Sequence, residues 1–248
     1  MMKISIITAT YNSERTISDT LSSLEKQTYL DVEYIIVDGA SKDNTLTVIS
    51  QNSTRVTKII SESDQGIYDA LNKGIDLATG DIIGFLHSDD LLAYPGALSD
   101  IVETFEKQQC DAVYGDLQYV AKNDLNKVIR CWKSVFFNHE KMKYGWMPPH
   151  PTFYMKRDLY IRFGGFDLSY KISADYDSLT RYIINYKIKV AYLPKVIIKM
   201  RVGGISNRSL GSMLLKSKED IQIMKLRGLF WPMSFLCKNL SKLPQFIK

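Results

Sequence analysis

Cysteine is nearly absent from this chain of 248 residues: Cys110, Cys131 and Cys237 are the only three, far apart and without a histidine pattern beside them. That excludes a disulfide-stapled secreted scaffold and a zinc site of the paired-cysteine kind, and reads as reduced, structural thiols in a cytosolic setting. No stretch approaches the roughly 18 consecutive apolar residues of a bilayer-spanning helix. The apolar segment at residues 4–7 is too short for the core of a signal peptide and reads as a first strand, so the expectation is a protein made and kept inside the cell. No Gly-x-Gly-x-x-Gly follows an apolar run, which argues against a dinucleotide-binding dehydrogenase. Residues 8–12 also lack the Gly-rich, Arg/Lys-bearing phosphate loop expected of a nucleotidyltransferase. The net charge of +5 is too mild for a nucleic-acid binder, and no base-reading motif is present. Acidic residues disappear after Asp220, leaving Lys225, Arg227, Lys238, Lys242 and Lys248 as a basic tail on a nearly neutral body.

What is present is the composition of one globular domain, 45% hydrophobic and 24% charged, long enough to bury a core without staples. Short apolar runs at 4–7, 34–37, 58–60, 82–86 and 112–114 read as buried strands. Between them lie helical patterns: Ile17, Leu21 and Leu24; Leu46 and Ile49; and the clearest, Ile67, Ala70, Leu71, Gly74, Ile75 and Ala78, closed by Thr79-Gly80. Strands alternating with helices predict an α/β fold whose mostly parallel central sheet is covered by helices. Residues 116–151, polar and aromatic, carry no clear period. Ligands of such sheets bind beyond the carboxyl ends of the strands, which singles out residues 8–12, 38–44 and 87–90.

In the last of these, Asp89 and Asp90 follow directly on a strand. Adjacent carboxylates repel, and a hard cation shared with a diphosphate relieves that repulsion; Mg²⁺ or Mn²⁺ suits a set of few carboxylates, waters and phosphate oxygens. The competing reading is a turn in which Asp90 caps the helix entered near Pro95.

Four ordered segments together resemble the inverting family 2 glycosyltransferases of GT-A fold, over roughly residues 3–206. They are Ser5-Ile6-Ile7-Thr8-Ala9-Thr10-Tyr11-Asn12; Ile36-Val37-Asp38-Gly39-Ala40-Ser41-Lys42-Asp43-Asn44-Thr45; Asp64-Gln65-Gly66-Ile67-Tyr68-Asp69-Ala70-Leu71-Asn72-Lys73-Gly74; and Phe85-Leu86-His87-Ser88-Asp89-Asp90. Further on, Gly164-Gly165-Phe166-Asp167 and Ala174-Asp175-Tyr176-Asp177 are similar to the family's acceptor side and its base-bearing helix. Two positions depart from the pattern: His87 stands where an acidic residue is common, and Gly39 where many uridine-binding members have a second aspartate.

The resemblance implies a GT-A domain over residues 1–206, with a donor-binding half to about 115 and an acceptor-side half from about 116. It implies Asp175 as general base and a nucleotide-sugar site drawn from Thr8, Thr10, Tyr11, Asn12, Asp38, Lys73, Ser88 and Asp89. Asp89 and Asp90 would bind the metal, Mn²⁺ or Mg²⁺, while His150 and Asp177 fall on the acceptor side. The donor is expected to be a nucleotide sugar, a UDP-sugar first, and the acceptor a saccharide or lipid-linked saccharide of a bacterial surface polysaccharide. A non-catalytic nucleotide-sugar-binding partner and a nucleotidyltransferase are the competing classes. Bland roles compete at single residues: Asp38 as a turn former, Tyr11 as packing, Lys73 as a solvated lysine, His150 as structural, Asp175 as a helix cap.

Residues 207–248 read as a helical, basic, amphipathic extension. Phe230, Trp231, Met233, Phe235, Leu236, Leu240, Leu243, Phe246 and Ile247 interleave with lysines, as in an interfacial helix on anionic lipid at the inner face of the cytoplasmic membrane. The same pattern suits packing on the domain or in a homodimer.

Overall fold

The computed structural model describes residues 2–203 and 210–241, Leu210 by its backbone alone. The expected alternation runs through the first half: β1 (Ile4–Thr10), α1 (Ile17–Glu25), β2 (Val32–Asp38), α2 (Thr45–Asn52), β3 (Val56–Ser61), α3 (Ile67–Leu77) and β4 (Ile82–Phe85). Then come β5 (Leu91–Leu92), α4 (Ala97–Gln108), β6 (Ala112–Ala121), β7 (Asp124–Trp132), α5 (His139–Lys143), β8 (Tyr154–Lys156), α6 (Arg157–Phe163), α7 (Ala174–Thr180) and β9 (Val190–Arg201). Two helices follow, α8 (Leu210–Leu226) and α9 (Trp231–Leu240).

All strands join one sheet of order β3-β2-β1-β4-β8-β6-β9-β5, with β7 hydrogen-bonded to β6 outside that path. It is parallel from β3 through β4; β8 enters antiparallel to both β4 and β6, and β6 pairs parallel with β9. The apolar runs of β1 and β2 are buried on both faces, as strands roofed by helices must be. Ile7, Ala9, Ile35 and Val37 point to the layer covered by α3, while Ile4, Ile6, Tyr34 and Ile36 point to the layer of α1 and α4. On α3, Leu71 and Ile75 are buried, each worth roughly 1.5–3 kcal/mol over exposure. Gly74 lets that helix settle on the sheet: a Cβ there would collide with the Ile7 side chain.

The β6–β7 hairpin fills the stretch in which no period is legible. Among the described residues β7 pairs with β6 alone, and its Asp124, Asn126 and Lys127 are exposed, so half of the alternation that marks a strand is absent. A second link joins the two halves of the chain. Asn72 on α3 brackets the Phe166 backbone, donating to its carbonyl at 2.8 Å and accepting from its amide at 2.8 Å.

Of the two readings of the tail, packing on the domain holds for residues 210–241. Glu219 accepts from the backbone amides of Lys171, Ile172 and Ser173 at 2.9, 3.0 and 2.9 Å, Arg227 pairs with Asp177, and Ile223 and Met224 enter the core. Leu243, Phe246, Ile247, Lys242 and Lys248, and the expected boundary at 206/207, lie outside the described residues. Among the described residues no helix is long and apolar enough to cross a membrane.

Candidate active site

The loops after β1, β2 and β4 are tied together by their own side chains. Asn12, in the left-handed region at φ 49°, takes a backbone bond to Ser41 Oγ at 2.8 Å and accepts from the Lys42 amide at 2.9 Å. The Ser13 and Ser88 hydroxyls share a hydrogen bond at 3.0 Å. Asp38 is fully buried and engaged: it accepts from the Ser41 amide at 2.9 Å, Ser61 Oγ at 2.6 Å and Ser41 Oγ. Its carboxylate shapes the loop. Thr8 is equally interior, donating to the Leu86 carbonyl at 2.5 Å and lying 3.0 Å from the Tyr34 hydroxyl. Thr10 Oγ1 is buried without a partner among the described residues, and Tyr11 stands exposed at the loop surface. Lys73 is held by Glu62 at 2.7 Å, Asp69 at 3.6 Å and the Ser63 carbonyl at 3.1 Å.

Gly39 bears on Asp64, which opens the third of the ordered segments with no role assigned to it there. A Cβ at that position would come 2.5 Å from Asp64 Oδ2 and 3.5 Å from the Tyr11 ring, so the missing side chain leaves room for the Asp64 carboxylate beside Tyr11.

The acidic pair closes a turn after β4, with the Asp90 amide donating to the His87 carbonyl at 3.0 Å. Thr20 Oγ1 donates to the Asp90 carbonyl at 2.8 Å, and Arg201 Nη1 to the Asp89 carbonyl at 2.9 Å. Asp90 is 1% exposed, and neither of its carboxylate oxygens has a partner among the described residues. Burial, reinforced by the Asp89 charge and opposed by Arg201, pushes its carboxyl well above the ordinary range. A buried carboxylate with no donor is costly unless a cation accompanies it. The described residues form no cluster of three or more acidic, cysteine or histidine ligands. The donor set therefore fits an ion that takes one or two carboxylates and completes its shell with waters and phosphate oxygens.

Asp175 lies across a cleft of about 870 Å³ that His87, His150, Tyr68 and Trp146 also line. Its Oδ1 accepts from the Tyr176 amide at 2.8 Å and lies 3.4 Å from the hydroxyl of Tyr68, which donates to the Ile172 carbonyl at 2.6 Å. Its Oδ2 has no partner among the described residues. Burial pulls His150, stacked on Phe85 at 5.5 Å, down to about 4, and burial also lowers His87 from its ordinary value. Asp177, two residues on, is buried against Arg227 and Arg181 and does not line the cleft.

Such a sheet, with an acidic turn after its fourth strand and a carboxylate in an adjoining cleft, defines the GT-A class of α/β sugar transferases. Residues 5–163 match the model of Glycosyl transferase family 2, and the chain belongs to that family. It is a glycosyltransferase. A PGL/p-HBAD biosynthesis glycosyltransferase of Mycobacterium bovis (strain BCG / Pasteur 1173P2) is 31% identical over 217 residues, 86% of this chain and 82% of that protein. The structure is similar to that of S. aureus TarS 1-349 in complex with UDP-GlcNAc, with a TM-score of 0.74 at 19% identity over 99% of this chain and 73% of that one. The mannosyltransferase PcManGT from Pyrobaculum calidifontis, in complex with GDP-Man and Mn²⁺, follows at 0.67 and 18%, over 97% of this chain and 74% of that one.

Proposed function

We propose that the protein transfers a sugar from a nucleotide-sugar donor to an acceptor hydroxyl with inversion, assisted by Mn²⁺ or Mg²⁺ at Asp89 and Asp90. The observation that carries this reading is Asp90, a buried carboxylate with both oxygens unpartnered at the carboxyl end of β4. A bound divalent ion would supply positive charge against the departing diphosphate. Asp175 takes the acceptor's proton at Oδ2 as that oxygen attacks the anomeric carbon from the face opposite the leaving group. Tyr68 and the Tyr176 amide fix its Oδ1. The donor half, to about residue 115, supplies the nucleotide loops and the acceptor half supplies Asp175.

Within the donor loops, Tyr11 is exposed toward the nucleotide and Thr10 carries a hydroxyl with no partner among the described residues, whereas Thr8, Asn12, Asp38 and Lys73 support the loops. Ser88 links the acidic turn to Ser13. Asp64 presents a carboxylate beside Tyr11, which suits a base offering ring N–H donors, uracil first and guanine second.

A lipid-linked saccharide at the cytoplasmic face of a membrane is the acceptor we favour. Leu226, Phe230, Leu236 and Leu240 are exposed on a tail that has no acid after Asp220, a combination that attracts anionic lipid.

Calorimetry with a panel of nucleotide sugars, in Mn²⁺ and in chelator, tests the reading on wild type and Asp90→Ala. Metal-dependent binding of one nucleotide, lost in the variant, is expected. Binding indifferent to both metal and Asp90 would refute the metal site, and binding without transfer would favour the non-catalytic partner.

A further inference from the structure

Four polar side chains in the wall of the cleft have unmet or unusual bonding. Ser173 is the residue before α7, a position where a hydroxyl ordinarily caps the helix, yet its Oγ makes no capping bond and is buried without a partner. The hydroxyl of Tyr176 and Oδ1 of Asp220 are buried as well, and none of these three atoms has a partner among the described residues. Asp220 Oδ2 pairs with Lys238 Nζ at 2.8 Å, and that ammonium lies 3.2 Å from the centre of the Tyr176 ring. These four residues are between 1% and 7% exposed, and all line the cleft that contains Asp175.

Buried polar atoms are nearly always bonded, so orphans gathered on one cavity wall mark a place where a ligand completes the set. We propose that Ser173, Tyr176, Asp220 and Lys238 form an acceptor subsite for an uncharged sugar ring, two of its groups being supplied by the C-terminal helices α8 and α9. The inference rests on the transferase reading above. Hydroxyl donors are what the wall asks for: Asp220 Oδ1 only accepts, and the Ser173 and Tyr176 hydroxyls do either. A phosphate seated on these four residues would face the carboxylates of Asp175 and Asp220, and Lys238 is already paired with Asp220; Lys133, Lys141 and Lys216 also line the cleft. Burial pulls Lys238 down to about 8, with Asp220 opposing. Trp146 and Tyr119 in the same lining offer flat apolar surface to the C–H face of a pyranose.

The subsite makes the C-terminal extension part of the active centre. Its test exploits the absence of partners among the described residues: Tyr176→Phe and Ser173→Ala delete orphan hydroxyls and remove no hydrogen bond that those side chains make there. Ligand-observed NMR on the full chain, with and without UDP and Mn²⁺, would titrate a panel of p-nitrophenyl glycosides of gluco, galacto, manno and N-acetylglucosamine configuration. Tyr154→Phe is the control, since its hydroxyl is equally buried and unpartnered but lies outside the cleft.

At least one glycoside should bind wild type and the control equally, and each cleft variant roughly 5-fold more weakly, as expected for one lost hydrogen bond. Melting temperatures of the cleft variants should stay level or rise. Equal affinity in all four proteins, or no glycoside binding to wild type, would overturn the subsite. Nucleotide calorimetry on the same samples separates the two ideas: glycoside binding without nucleotide binding sinks the transferase reading alone, and the converse sinks the subsite alone.

Discussion

Arg201 reaches from the end of β9 to donate to the main-chain carbonyl of Asp89 at 2.9 Å, and its other terminal nitrogen pairs with Asp19 on α1. One guanidinium thus ties the acidic turn to two elements distant in sequence. A lysine lacks the planar fork that sets a separate nitrogen on each acceptor. Arg201→Lys should keep the fold but weaken Mn²⁺-dependent nucleotide binding by about 10-fold, the scale of one hydrogen bond to a charged group. Calorimetry checks it; unchanged affinity would mean that the turn is rigid without the arginine.

Asp90 makes a paired prediction for stability. Its carboxylate is buried without a donor among the described residues, so Asp90→Asn, which removes the charge that burial disfavours, should raise the stability of the protein in chelator. Added Mn²⁺ should then stabilise wild type and leave the variant unmoved. Thermal melts in EDTA and in Mn²⁺ measure both, and a variant less stable than wild type in EDTA contradicts the argument.

Glu33 is the carboxylate through which acid should weaken the fold. Burial alone would raise its pKa, but hydrogen bonds from Ser5 Oγ at 2.6 Å, the Thr79 amide at 2.7 Å, Lys58 Nζ at 3.0 Å and Thr79 Oγ1 at 2.9 Å outweigh it. Together they bring it from 4.5 to about 2. The unfolded chain protonates this group first as pH falls. Its contribution, on the order of 3 kcal/mol, is therefore full above pH 4.5 and disappears toward pH 2. Glu33→Gln should be less stable at pH 7 and show a flatter acid limb in denaturant titrations from pH 5 to 2. Parallel limbs in the two proteins would assign acid sensitivity to other groups.

In the parallel half of the sheet β1, β2 and β4 were legible because strands roofed on both faces are short, continuous apolar runs, and α3 because its stripe keeps strict helical spacing. β3, expected as a buried run at 58–60, is an edge strand whose residues alternate between half-buried and exposed. β7 was hidden by exposed charged residues along a strand with a single neighbour. The site divides along similar lines. Asp89, Asp90, Asp175 and, without a role, Asp64 lie in ordered motifs, but Arg201, Asp220 and Lys238 reach the candidate site by tertiary approach from remote segments. No spacing in the sequence encodes that. The bonding of Asp38 and Thr8 inside the loops likewise depends on partners, Ser61 and Leu86, that only the folded sheet brings near.

Arg227 on the tail and Asp177 on α7 form a largely buried pair, with Arg181 Nε a weaker neighbour at 3.9 Å. Removing the arginine leaves Asp177 buried and poorly compensated, which typically costs about 3–5 kcal/mol. Arg227→Met should show that loss in denaturant melts, with faster hydrogen exchange concentrated in α8 and in residues 171–177. Exchange that rises evenly over the whole chain would mean that the tail does not depend on this clamp.

Asp175→Asn separates the chemistry from binding. The amide keeps the size of the side chain and its acceptor atom toward the Tyr176 amide, but it cannot take the proton of an attacking hydroxyl. Loss of a positioned base lowers the chemical step by about 10²–10⁴-fold. Because Asp175 stands in the cleft and not in the loops after β1, β2 and β4, donor affinity by calorimetry should stay within about 2-fold of wild type, inside the range of a peripheral polar change. Single-turnover transfer from labelled donor to a glycoside that binds the cleft reads the chemical step directly. Retention of the wild-type rate in Asp175→Asn would remove the residue from the mechanism. A matching collapse of donor binding would instead make Asp175 part of the nucleotide-sugar site.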